Sequence, residues 1–226
     1  MEKSILHRGI SINVSLDGTD IPQTDSVKYL GVTIDKDLNW KAHTEQVRRK
    51  SLAALSTIKR SSSFLPSNTR KLLFNSLVRP HLDYCSVVWH SCNSTISKRI
   101  ERIQNYGMRV ILGKPPRTSS SPLRDQLGWT TLQERRQRFM LTLVHRCLLN
   151  LVPPYLKNKF KLNSILYNIG TRGSGNIHLG QPNSEHYRSS FEYSGALHYN
   201  RLPLSSKSCP TLKLFKTSLK TLHITI

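Results

Sequence analysis

Residues 27–40 read VKYLGVTIDKDLNW. The first eight alternate as a strand does, and from Trp40 onward the apolar period changes to that of a helix. Asp35 and Asp37, two apart, fall at the change. They are either ligands for a metal ion or the turn that joins strand to helix. Two-metal catalysis needs carboxylate oxygens that converge on ions about 4 Å apart, usually from different strands. An aspartate just before a helix can instead cap its free N–H groups and complement the positive end of its dipole. Because Asp37 directly precedes the first turn, LNWKAH, capping is the reading preferred here.

Upstream, ISINVSL (10–16) alternates and DGTD (17–20) signals a turn. VKYLGVTI then reads as a single strand with Val27, Tyr29, Gly31 and Thr33 on one side. Downstream, Trp40, Val47, Ala54, Leu55 and Ile58 form an apolar stripe. Lys41, Arg48, Arg49 and Lys50 give that helix a basic face, with Glu45 and Arg49 spaced as an i,i+4 pair. LPSNTRKLLFNSLVRP (65–80) opens a second helix, capped by Ser67 or Asn68 and anchored by Leu73, Phe74 and Leu77, until Pro80 interrupts it. SVVW (86–89) reads as a short buried strand, and Tyr84 and Trp89 as core.

A third helix spans about Thr95 to Leu112, with Ile96, Ile100, Ile103 and Val110 inward, Lys98, Arg99, Arg102 and Arg109 outward, and Gly113 as its stop. KPPRTSSSP (114–122) is a Pro/Ser-rich break and the best domain boundary. Thr131 and Glu134 then make a capping box. The helix they start keeps Leu132, Phe139, Leu143 and Cys147 near one face, carries Arg135, Arg136 and Arg138 in its first turns, and ends before Pro153 and Pro154. Residues 165–190 read as a long loop. PTLKLFKTSLKTL (210–222) is a last amphipathic helix with Leu212, Phe215 and Leu219 inward. These elements give an α+β, mainly α chain: a β-hairpin unit at 1–38, a helical domain at 39–113 and a C-terminal helical region at 114–226.

Charge indicates the partner. The 226 residues hold 34 Lys and Arg against 13 Asp and Glu, a formal +21. Residues 1–40 carry four basic and six acidic groups, so the excess lies entirely beyond them. Such a surplus repels itself in a compact fold unless a polyanion offsets it, and nucleic acid does so with release of counterions. The three basic faces are the candidate contacts, each weighed against an ordinary solvated helix face. Trp40 reads as core rather than as a base-stacking platform.

Other chemistries find little support. No phosphate-binding glycine loop, dinucleotide fingerprint or HExxH motif occurs. GTRGSGNIHLG (170–180) reads as flexible loop. His81, Cys85, His90 and Cys92 lie close in sequence, but their spacing matches no zinc pattern and small core cysteines are common. With no export signal and no apolar run long enough to span a bilayer, an intracellular chain, nuclear or cytoplasmic and off the membrane, is expected.

In order, VKYLGVTIDKDLNWKAH, RKLLFNSLVRPHLDYCSVVW, RIERIQNYGMRVILG, LGWTTLQERRQRFMLTLVHRCL with VPPYL, and RSSFEYSGALHYNRLP with FKTSLK resemble the C-terminal part of a jockey-like non-LTR retrotransposon reverse transcriptase. The resemblance implies that residues 1–38 are the end of a palm, 39–113 a thumb that grips an RNA–DNA or RNA template–primer, and the remainder a C-terminal helical region. Tyr199 stands where the family usually has tryptophan before NxLP. The family's adjacent palm aspartates, which hold Mg2+ in the full-length enzyme, lie upstream of YLG, and this sequence has no Asp-Asp. The resemblance thus implies a chain that binds but has no catalytic residue, metal or cofactor of its own and depends on a palm and fingers supplied by other sequence. The alternative is a protein-interaction or self-association domain left from a degenerate or domesticated element.

Overall fold

A computed structural model describes residues 14–167 and 173–222. Two antiparallel hairpins come first: β1 (Val14–Leu16) with β2 (Thr19–Ile21), then β3 (Ser26–Tyr29) with β4 (Val32–Asp35). Twelve α-helices follow among the described residues: α1 Lys41–Arg60, α2 Ser67–Leu73, α3 Arg79–Asp83, α4 Ser94–Leu112, α5 Ser120–Leu127, α6 Leu132–Leu148, α7 Pro154–Lys157, α8 Asn163–Tyr167, α9 Glu185–Arg188, α10 Phe191–Asn200, α11 Leu204–Lys207 and α12 Leu212–Thr221. The class is α+β and mainly α.

The stretch from 27 to 34 is a hairpin, not one strand. Leu30 and Gly31 both take positive φ (44° and 82°), as Asp17 and Gly18 do in the first hairpin, which is the backbone of a type I′ turn. The chain therefore reverses, leaving Val27 and Tyr29 exposed while Val32 and Thr33 are buried. The first residues of the expected ISINVSL strand, 10–13, lie outside the described residues.

Asp35 is the cap. Its Oδ1 accepts from the Asn39 N–H and its Oδ2 from the Trp40 N–H, both at 3.0 Å, while Asn39 Oδ1 accepts from the Lys41 N–H at 2.9 Å. Asp37 stays exposed. The turn reading holds, and the expected capping by Asp37 does not: the first N–H of α1, that of Lys41, is taken by Asn39. Trp40, in the left-handed region at φ 62°, is buried and donates its indole N–H to Ser91 Oγ at 3.1 Å.

Five expectations for residues 65–89 are corrected. Pro66, not Ser67 or Asn68, occupies the cap position of α2, with no side-chain cap bond. Pro80 does not interrupt the helical course, because Phe74–Val78 form a π-helical turn that leads into α3 with the proline in its first turn. The wider turn accommodates a ring that an ordinary helix interior excludes. It also shifts the phase by a residue, so Val78 is buried and Leu77 exposed. SVVW is a series of turns rather than a strand, and Cys85 has φ 48°. Trp89 is fully buried, whereas Tyr84 is exposed and donates its hydroxyl to the Leu30 carbonyl at 2.6 Å.

The later helices keep their local signals. Asn93 caps α4 through the Ile96 N–H, Gly113 ends it at φ 63°, and both bonds of the Thr131–Glu134 capping box are present at 3.1 Å. On α6 the buried side is Leu132, Met140, Leu141, Val144 and Cys147, so Phe139 faces solvent instead of core. The Pro/Ser break turns into α5, and residues 165–190 include α9 and the fully buried Ile177, bridged to Leu162.

One core joins Val47, Leu55 and Ile58 of α1 to Phe74, Val78, Leu82, the inner row of α4, and on through Leu123, Leu127, Trp129 and Leu132. A second joins α6 to α10 and α12 through Leu141, Val144, Tyr199, Phe215 and Leu219. Val32, Trp40, Trp89, Cys92 and Ile96 form a smaller cluster that fastens β4 to α1 and α4. Among the described residues no helix is long and apolar enough to cross a membrane.

Two consequences for stability can be measured. Asp35→Ala is expected to lower the urea-unfolding free energy by about 1–2 kcal/mol through loss of the two hydrogen bonds that close the turn before α1, while Asp37→Ala stays within about 0.5 kcal/mol. His43, His90, His145 and His198 are all pushed below the ordinary histidine value, first by burial. The unfolded chain then binds protons that the folded chain resists, so stability present at neutral pH falls as pH drops below about 6.5. His145 sits between the Tyr199 hydroxyl (2.8 Å) and the Cys209 carbonyl (3.1 Å), with its ring 3.9 Å from that of Phe215. A His145→Gln variant should flatten the acid side of the stability profile.

Candidate nucleic-acid interface

α1 and α4 lie side by side, and the rows that flank their buried stripes meet across a groove. Its larger part, about 480 Å3, is lined by Glu45, Arg48, Leu52, Arg99, Arg102, Ile103 and Tyr106. A second part of about 270 Å3 shares Glu45, Arg48 and Arg99 and adds Lys41, Thr44, Ile96 and Ile100 toward the N-terminal ends of both helices. The floor is therefore aliphatic and the walls cationic.

Two of the three basic faces thus meet at one place: Lys41 and Arg48 from α1, Arg99 and Arg102 from α4. Glu45 is the carboxylate of the groove. Both its oxygens accept from Arg48, at 2.8 to 3.0 Å, and those hydrogen bonds first of all hold it below the usual carboxylate range. The partner of Glu45 is Arg48, one residue short of the expected Arg49, and the pair cancels much of the Arg48 charge. Lys41, Arg99 and Arg102 are exposed.

The remaining candidates point elsewhere. Arg49 and Lys50 are exposed, and Lys50 lines a small recess with His43 and His81 on another side of α1. Lys98 lines a separate cavity toward α6. Arg109 donates its Nε–H to the Thr118 carbonyl at 2.9 Å, fastening the loop before α5. Arg135 pairs with Asp83 and lies over Phe139. Arg136 is only 6% exposed, donates to Ser97 Oγ at 2.6 Å and lies 5.2 Å from the Trp89 ring. Arg138 is half-buried. The third basic face is thus largely drawn into internal contacts.

The groove wall also holds an aromatic ring that the sequence reading did not single out, with a lysine outside the groove lying over it. Tyr106 forms part of its wall, and Lys59 Nζ lies 5.8 Å from the tyrosine ring. Tyr106 stands one helical turn beyond Arg102, so extending the outer face of α4 by four residues would have found it.

Both carboxylate oxygens of Asp35 are taken by backbone N–H groups, and among the described residues no three His, Cys, Asp or Glu side chains are grouped to hold an ion.

No family model matches the chain, and no solved structure matches it. Two proteins of Drosophila melanogaster do. One, a probable RNA-directed DNA polymerase from transposon X-element, is 30% identical over 104 residues, 44% of this chain and 11% of that protein. The other, a probable RNA-directed DNA polymerase from transposon BS, is 24% identical over 132 residues, 57% of this chain and 15% of that protein. The chain thus spans a small part of the relatives it matches. Over part of its length the chain is thus similar to RNA-directed DNA polymerases from two transposons.

Proposed function

We propose that the α1–α4 groove is a thumb-like grip on the phosphate backbone of an RNA–DNA or RNA template–primer. The observation that carries this reading is the meeting of two basic rows, one from each helix, over an aliphatic floor. Lys41, Arg99 and Arg102 supply charge for phosphates, and Tyr106 offers a flat face against a sugar or base. Arg48 is held in reserve by Glu45. The role is binding; nucleotide addition and its Mg2+ belong to palm and fingers sequence outside this chain.

A second reading, a protein-interaction or self-association surface, is favoured by one observation. Val14, Leu16, Ile21, Val27, Tyr29 and Leu30 of the two hairpins are each at least half exposed. Such an apolar surface is of the kind that meets another protein.

A salt titration of binding to an RNA–DNA primer–template tests the grip. Each phosphate neutralised contributes roughly 0.7–0.9 to the slope of log K against log salt. The Lys41→Ala/Arg99→Ala/Arg102→Ala variant should lose about 2–3 from that slope, and Glu45→Gln, by releasing Arg48, should tighten binding at low salt. A flat slope for the unaltered chain, together with a mass that rises with concentration, would overturn the grip in favour of the second reading.

A further inference from the structure

On another side of α4 from the groove, a cavity of about 310 Å3 lies where the first turns of α4 and α6 meet α10. Ser94, Ser97 and Lys98 come to it from α4, Gln133 and Arg136 from α6, and His198 from α10. Among the described residues lining it there is no carboxylate. Each of the six can donate a hydrogen bond. For His198 this follows from its neighbour: Nδ1 lies 3.0 Å from the amide nitrogen of Gln137 and so accepts, which leaves the proton on Nε2.

Arg136 is what makes this more than a polar recess. It is 94% buried, yet it makes no ion pair among the described residues. Nη2 donates to Ser97, and Nη1 is buried with no hydrogen-bond partner among the described residues. Two less buried arginines nearby are each matched by a carboxylate, Arg124 by Glu101 at 3.5 Å and Arg135 by Asp83. Glu101 attracts Arg136 without contacting it, its ion pair being with Arg124, so the buried guanidinium has no direct ionic partner among the described residues. Such burial is unfavourable, and the Trp89 ring beneath it offsets only part of that cost. The positive end of the 19-residue α4 falls at the same place, where the N–H groups of Ser94 and Thr95 have no intrahelical acceptor.

We infer that this cavity binds a phosphate group, either inorganic phosphate or the terminal phosphate monoester of a nucleic acid. Donors converge from three helices, which suits a tetrahedral oxyanion better than a planar carboxylate. The volume exceeds what a bare phosphate fills, leaving room for the attached sugar. The site is independent of the groove: it shares none of the groove's lining residues, although Lys98 adjoins Arg99 in sequence.

The test is a titration of the full 226-residue chain followed through its histidine ring resonances. Inorganic phosphate should move the His198 resonances saturably in the millimolar range or below and raise the pH midpoint of that ring, while His145, buried in the other core, stays unmoved. Lys98→Gln, at the exposed rim, should weaken phosphate binding a few-fold and Arg136→Lys about tenfold. His145 resonances unchanged in each variant establish that it folds.

Two oligonucleotides of one sequence, with 5′-phosphate and with 5′-hydroxyl ends, separate the sources. Tighter binding of the phosphorylated one, lost in Lys98→Gln, assigns the end of a nucleic acid. Equal binding of the two, with His198 still responding to inorganic phosphate, assigns the free ion. A His198 ring that ignores both phosphate and the phosphorylated end overturns the inference, as does a response that neither variant weakens.

Discussion

Gly107 has no side chain at the point where the Phe74 ring lies against α4; a Cβ there would stand 2.2 Å from Phe74 Cε2. The spacing of the first core depends on that approach. Phe74 belongs to the π-helical turn between α2 and α3, and its ring centroid lies 5.0 Å from that of Trp129, ahead of α6. The Arg79 guanidinium lies 5.3 Å from the same tryptophan. One segment is thereby fixed against α4 and against the entry to α6 at once. Since α1 packs on this segment as well as on α4, the same contact sets how closely α1 and α4 run. The width of the groove between them is a steric result of close packing, and its charge is laid on afterwards.

The polar interior is handled by a different rule. Arg136, Gln104, His43 and His145 are all buried, and most of their polar atoms find a backbone or hydroxyl partner. Gln104 donates to the Thr130 carbonyl at 2.8 Å, and the Glu101 carboxylate accepts from the Leu132 N–H at 2.8 Å, so the start of α6 is fastened to α4 from both sides. Burial first, and only then neighbouring charge, determines how these groups hold protons. A chain with this many cations pairs its inward-facing arginines with carboxylates or lays them against aromatic rings, and leaves the remainder at the surface.

Packing therefore sorts residues that look alike in sequence. Arg99 and Arg102 on α4 are exposed beside the α1 row, whereas Arg135 and Arg136 on α6 are turned toward Asp83 and Trp89. Both pairs stand near the start of an amphipathic helix, and an amphipathic pattern says which residues flank the apolar stripe without saying whether a second element covers the flank. α6 is flanked by α4 on one side and by α10 and α12 on others, so it has almost no bare face. α1 and α4 do.

What the sequence determined by itself is what rests on contacts a few residues apart. The α1 and α4 stripes, the Thr131–Glu134 capping box, the Gly113 stop, the inward Phe215 and Leu219 of α12 and the aspartate-closed turn before α1 are all of that kind. So is the excess of positive charge, which needs no fold to be counted. The tertiary structure alone decided the rest, because the deciding contacts are distant in the chain. Phe74 reaches Gly107 across 33 positions, and that packing accompanies a helix that passes Pro80 through a π turn instead of stopping. Ser97 and Trp89 draw in Arg136 across some forty positions, and that is why one predicted surface arginine is a buried one.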